Sequence, residues 1–187
     1  MDSSAVYNDD MSINADEPLY RLIPLNPTLL TYDPSLRRIR PSSGLFVNSK
    51  PDPNFDRVTE GKSEQYLSIY IQSTLRSINI SDDKVIEPGE KYGGITFLAA
   101  SVYSNPGNDK PMQRVFQEPL APPPTRQPAH GGVAGQKSSA ARQLFAEKSS
   151  WVIGPPIEWL EHYRNQLKIP MSINISESYS SLLGQDA

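Results

Sequence analysis

Prolines stand at positions 18, 24, 27, 34, 41, 51 and 53 of this chain, interleaved with Leu19, Tyr20, Leu22, Ile23, Leu25, Leu29, Leu30 and Tyr32. Proline at that density blocks helices and removes the N–H donors of a sheet ladder, so no regular element runs far through residues 18–53. The apolar residues trapped between the prolines still gain from leaving water. Both demands are met by an extended arm laid across a surface, that of its own domain or that of a neighbouring subunit. Residues 44–48 read as a short strand at a sheet edge. In the exchanged form of this reading the contact residues are Leu22, Ile23, Leu29, Leu30 and Tyr32.

The clearest regular element follows. In residues 66–76, Leu67, Ile69, Ile71 and Leu75 share one face while Tyr66, Ser68, Tyr70, Gln72, Thr74 and Arg76 take the other, the period of a half-buried strand. The phase slips near Ser77, which predicts a bulge or strand end. Pro88-Gly89 fits the centre of a type II turn, and Gly93-Gly94 opens an apolar run, residues 95–103, read as a strand buried on both faces. Residues 104–137 hold Asn105-Pro106-Gly107, Pro122-Pro123-Pro124 and His130-Gly131-Gly132, and read as a long Pro/Gly-rich loop.

Two late helices are predicted. Ser138 or Ser139 caps one that runs to Lys148 with Ala141, Leu144 and Phe145 on its buried face. Pro155-Pro156 starts the second, Ile157, Leu160, Tyr163 or Arg164, and Leu167 keep its period, and Ile169-Pro170 ends it. Ile169, Met171, Ile173 and Ile175 then alternate with polar neighbours as a strand. The expected class is therefore α+β: a β-rich core with an antiparallel or mixed sheet, two late helices and an extended N-terminal arm. The expected division is an acidic, disordered 1–17, an arm at 18–60, and a core at 61–187 interrupted by the loop at about 104–137.

Composition narrows the function. No cysteine is present, which removes disulfides, thiolate metal sites and cysteine nucleophiles. The formal charge is −3, against non-specific nucleic-acid binding. Charge is nevertheless polarised, with six acids and one Arg in residues 1–36 and six basic residues against three acids in 104–150. Neither a signal peptide nor an apolar run near the roughly 20 residues of a membrane span is recognisable, so cytoplasm, nucleus or virion is the expected setting.

The chemical motifs are weak. Residues 131–138 imitate a phosphate loop, but Gln136 stands where such a loop needs Gly before Lys137. His130 and His162, the only histidines, lack metal-ligand spacing, and no nucleophile elbow is present. Catalytic, cofactor-binding and metal residues are accordingly expected to be none. Arg37, Arg38 and Arg40 form a basic cluster that suits a phosphate backbone, an acidic membrane surface or, better, an acidic stretch of protein. Pro122, Pro123 and Pro124 with Arg126 suit a polyproline II docking segment or a spacer.

The size, polar N-terminus, β-rich centre at residues 66–80 and 92–103, and late helices resemble the layout of plant rhabdovirus matrix proteins. The resemblance departs at the net charge and at Pro123-Pro124-Thr125-Arg126, which lacks the tyrosine of a Pro-Pro-x-Tyr motif. The apolar residues trapped among the prolines of 18–53 and the lack of a catalytic constellation lead to the expectation of a non-enzymatic structural or assembly protein that works by protein contacts and self-association. The resemblance suggests a matrix-like or virion-borne form of it. The rival reading is a cellular adaptor or regulatory module that docks through its proline-rich loop.

Overall fold

The computed structural model describes residues 13–47, 58–59, 62–63, 66–71, 91–104, 114–117, 130–135 and 137–185. In chain order, β1 (Pro18–Pro24), β2 (Leu30–Asp33) and β3 (Arg38–Pro41) lead to a 3-10 turn (Ser43–Phe46). Next come β4 (Val58–Thr59), β5 (Lys62–Ser63), β6 (Tyr66–Ile71), β7 (Tyr92–Leu98) and α1 (Ala99–Ser104). The remainder comprises β8 (Arg114–Gln117), β9 (His130–Ala134), α2 (Ser139–Lys148), β10 (Ser150–Ile153), α3 (Ile157–His162), α4 (Arg164–Leu167) and α5 (Tyr179–Leu182). The class is α+β, with a six-stranded antiparallel sheet in the order β10-β7-β1-β6-β9-β8 and helices concentrated late in the chain.

Alternation sets the faces of the sheet. Leu67, Ile69 and Ile71 of β6 are buried on one face, in line with Leu19 of β1 and Phe97 of β7. Phe46 from the 3-10 turn and Phe145 from α2 close over that face. Phe97 and Phe145 stack at 5.3 Å, and Phe46 meets both edge-on at 5.6 and 5.8 Å. Such arrangements add about 0.5–1.5 kcal/mol per pair to area burial. Ser138 caps α2 by accepting the Ala141 N–H at 3.0 Å, as the sequence predicts, and Ala141, Phe145 and Ala146 form its buried side.

The segment expected as an arm lies inside this core. β1 is bonded on one side to β7 from Pro18 to Pro24 and on the other to β6 at Leu19 and Tyr20. Its prolines are confined to its two ends, where the missing donors cost least. Ile23, Leu30 and Tyr32, proposed above as contacts between subunits, are buried within this chain, while Leu22 and Leu29 are half-buried. Residues 44–47 form no edge strand: Leu45 and Phe46 are both buried, which consecutive residues of a strand facing one core cannot be.

Four further expectations are corrected. The strand beginning at Gly93-Gly94 ends at Leu98, and α1 follows, burying Ala99 and Val102. The Pro/Gly-rich loop contains β8 and β9, and His130-Gly131-Gly132 belongs to a strand whose five residues are all buried. Residues 169–176 are turns. Arg164 donates Nη1 to the carbonyls of Pro170 and Ile173, so a side chain serves the groups that a neighbouring strand would have paired. The second predicted helix is also two, α3 and α4, broken at Tyr163 and ended by Lys168 at φ 62°. Residues 1–12, the continuation of β6 past Ile71, the Pro88-Gly89 turn and the Pro122-Pro123-Pro124 run lie outside the described residues.

Candidate functional site

Two tryptophans follow β7 in space, and they differ in one decisive respect. Trp151 of β10 is buried and donates its indole Nε1–H to the carbonyl of Ile39 at 2.8 Å, tying the sheet to the β2–β3 hairpin. Trp159 of α3 is only half-buried, and among the described residues its Nε1–H meets no acceptor. A buried indole finds a partner; one that is half apolar and half wet without a partner is typical of contact surfaces.

Trp159 lies in an open groove of about 980 Å³ at the end of the sheet where β1 finishes and β7 starts. It is lined by Pro24, Leu25 and Pro27 at the end of β1, by Lys91 and Tyr92 at the start of β7, and by Pro156, Glu158, Trp159, His162 and Tyr163 in and around α3. Trp159 and Tyr163 are tilted by 51° with centroids 4.7 Å apart, and His162 stands edge-on to Tyr163 at 4.5 Å. Tyr92 is 48% exposed. The hydroxyls of Tyr92 and Tyr163 also find no hydrogen-bond partner among the described residues, and Glu158 enters no ion pair there. The walls are stiff: prolines on both sides, and aromatic rings whose packing against the core fixes them. The result is an apolar slot rimmed by unsatisfied donors and one free carboxylate.

A second cluster occupies the sheet face opposite the Phe stack. Ser68 Oγ lies 2.9 Å from His130 Nε2, with Tyr70 edge-on to the imidazole at 5.7 Å and Tyr66 at 6.3 Å. Tyr20 tilts against Tyr70, and burial together with that neighbouring phenol pushes its hydroxyl up to about 12. Ser68 lies in the interior of β6 and His130 at the start of β9, where it pairs with Tyr70, so both are held by the β6–β9 ladder. Among the described residues no three His, Asp or Glu side chains gather to hold a metal ion.

Of the basic cluster, Arg40 is spent on the hairpin and Arg38 on α2, while Arg37 stays exposed. Asp33 accepts Ser35 Oγ at 2.6 Å, the Ser35 and Leu36 amides at 2.9 and 3.2 Å, and Arg40 Nε at 2.6 Å. The Ser35 hydroxyl and then the Arg40 guanidinium hold its carboxyl far below the usual carboxylate range. Arg38 donates to the Glu147 carbonyl at 2.7 Å, while Arg37 takes the left-handed conformation, φ 53°, that closes the turn. The mimic of a phosphate loop dissolves similarly: Lys137 Nζ donates to the carbonyls of Val133 and Gly135. Arg21 donates Nη1 to the Ser68 carbonyl at 2.6 Å, just past the last β1–β6 ladder pair, and its Nε is sealed from water without an acceptor. Burial pulls its guanidinium down to about 10.

Trp159, the ring of Tyr163 and Tyr92 belong to no motif of the sequence. A signal was there: Trp159 falls off the stripe formed by Ile157, Leu160 and Leu167, and a large aromatic off the core face of an amphipathic helix needs another use. Comparison with protein-family models, with curated proteins and with solved structures finds no match to this chain. Among the described residues no helix is long and apolar enough to cross a membrane.

Proposed function

We propose that this chain is a non-enzymatic assembly protein that works through protein–protein contact, and that the groove between Pro24 and Trp159 is its contact surface. The observation that carries the reading is the contrast between the tryptophans: Trp151 is enclosed and satisfied, whereas Trp159 packs against the core only in part and leaves its donor unused among the described residues. Aromatic residues with an apolar body and a free polar tip supply most of the binding energy where proteins meet. A matrix-like or virion component is the form of assembly protein that the layout suggests. The Ser68–His130 pair is read as structural, because both residues are fixed within the ladder between β6 and β9.

The test is the solution mass of the full chain by light scattering over a range of concentration, for wild type and for Trp159→Ala. Mass that grows with concentration in the wild type and much less in the variant, with an unchanged circular dichroism spectrum, supports the reading. Equal masses for the two proteins at every concentration refute it.

A further inference from the structure

We infer that the groove takes the proline-rich segment at residues 118–129 of a second copy of this chain. The inference rests on the groove being a contact surface, and it names the occupant. Three observations lead to it: the chemistry of the slot, the charges at its rim, and the reach of the segment.

Polyproline II has no internal hydrogen bonds, so its carbonyls stay available to donors, and its three-residue turn presents ridges that fit between aromatic rings. The groove offers both complements, in the tilted Trp159–Tyr163 pair and the unused donors of Trp159, Tyr163 and Tyr92. The segment reads Glu118-Pro119-Leu120-Ala121-Pro122-Pro123-Pro124-Thr125-Arg126-Gln127-Pro128-Ala129. Pro119, Pro122, Thr125 and Pro128 fall three apart and would share one ridge. Its ends carry opposite charges, Glu118 and Arg126, and the groove carries Lys91 and a Glu158 that pairs with nothing among the described residues.

Register decides between the same chain and a neighbour. The rows Tyr20–Tyr70–His130 and Pro24–Tyr92 place the start of β9 at the end of the sheet away from the groove. His130 and Tyr92 are three strand spacings apart and four residues apart along the strands. That separates them by roughly 19 Å in a straight line, at about 4.8 Å per spacing and 3.3 Å per residue. Pro119 and Pro128, the ends of the ridge, stand two residues from Gln117 and His130 and so reach roughly 7 Å from those strand ends. The ridge as a whole therefore cannot lie in the groove of its own chain, and the groove of a second copy is free of this limit. Because groove and segment are different surfaces of the chain, two copies can exchange segments reciprocally about a two-fold axis or add head to tail.

The probe is a synthetic peptide of residues 117–129 added to the full chain, read by tryptophan emission. Trp151 is enclosed, so a change reports Trp159. We expect saturable binding, weakened at least tenfold when Pro122, Pro123 and Pro124 of the peptide become Ala. Arg126→Glu in the peptide should weaken it comparably, with recovery on Glu158→Arg protein. The full-length protein carrying the three alanines should lose the concentration-dependent mass of the wild type. No saturable response, or equal binding of the alanine peptide, overturns the inference. If Trp159→Ala abolishes self-association but the three alanines leave it intact, this occupant is wrong and the groove still stands as the contact surface. If the peptide still binds Trp159→Ala protein in isothermal titration calorimetry, both the occupant's site and the groove reading fall.

Discussion

Trp151→Phe isolates the hydrogen bond that joins the two layers of the fold. The substitution keeps a ring beside Ile95 on the sheet but removes the Nε1–H that Ile39 accepts at 2.8 Å. Ile39 is fully buried, so its carbonyl has no water to turn to, and an orphaned acceptor of this kind costs about 1–3 kcal/mol. The lost part of the indole adds about 1 kcal/mol of apolar contact. Together the loss is about 2–4 kcal/mol. At about 2–4 °C per kcal/mol for a chain of this size, the melting temperature should fall by roughly 4–16 °C. Urea unfolding followed by far-ultraviolet circular dichroism gives the free energy, and an unchanged m-value confirms that the end states are the same. A loss under about 1 kcal/mol at constant m would show that the bond does not hold the hairpin to the sheet. Trp159→Phe is the matched control: it breaks no hydrogen bond and should cost less than about 1 kcal/mol.

Three other substitutions test the electrostatics. Asp33 has a lowered folded-state pKa, so its stabilisation is complete above the ordinary value near 4 and is lost as pH falls below it. Asp33→Asn should cost about 1–2 kcal/mol in urea at pH 7, the gap closing on acidification; a gap independent of pH would refute the ionic role. The Tyr20 hydroxyl is raised to about 12, so its contribution is full below pH 10 and drains away as pH climbs to 12. Arg21, lowered to about 10, acts in the opposite sense over the same window, so the alkaline stability curve of Tyr20→Phe should flatten or turn upward. Finally, Arg21→Met should be at least as stable as wild type in thermal unfolding, because a part-buried guanidinium with one hydrogen bond and a sealed, unpartnered Nε carries an unrepaid desolvation cost. A loss above about 3 kcal/mol would mean that the charge is compensated by an anion.

What was legible in the sequence follows from how local each signal is. The alternation of Leu67, Ile69 and Ile71, the Ser138 cap and the Phe145 face of α2 are written in residues close to one another, and they appear as read. His130–Ala134 has two glycines and no alternation, and becomes a strand only because β6 and β8 flank it. Residues 169–176 alternate well enough but lack a neighbouring strand, since Arg164 has taken two of the carbonyls. The contact residues chosen in the arm were sound as apolar residues seeking burial; what the pattern omits is that their burial is within the chain. The site itself was half legible: an off-stripe Trp159 can be noticed, but Pro24, Tyr92 and Trp159 meet only through the order of the strands.

The place of β1 in the middle of the sheet has a consequence for how the chain is made. β1 leaves a ribosome well ahead of its partners, β6 and β7, which end at residues 71 and 98. At about 5–20 residues per second, some 4–15 s pass between the completion of β1 and that of β7. Throughout that interval an apolar strand is exposed along both edges, open to capture by a chaperone or by another nascent copy. Trimming the start of this chain would therefore take out the keystone of the sheet, so deletion of residues 1–53 should yield aggregated protein and not a shortened, folded one.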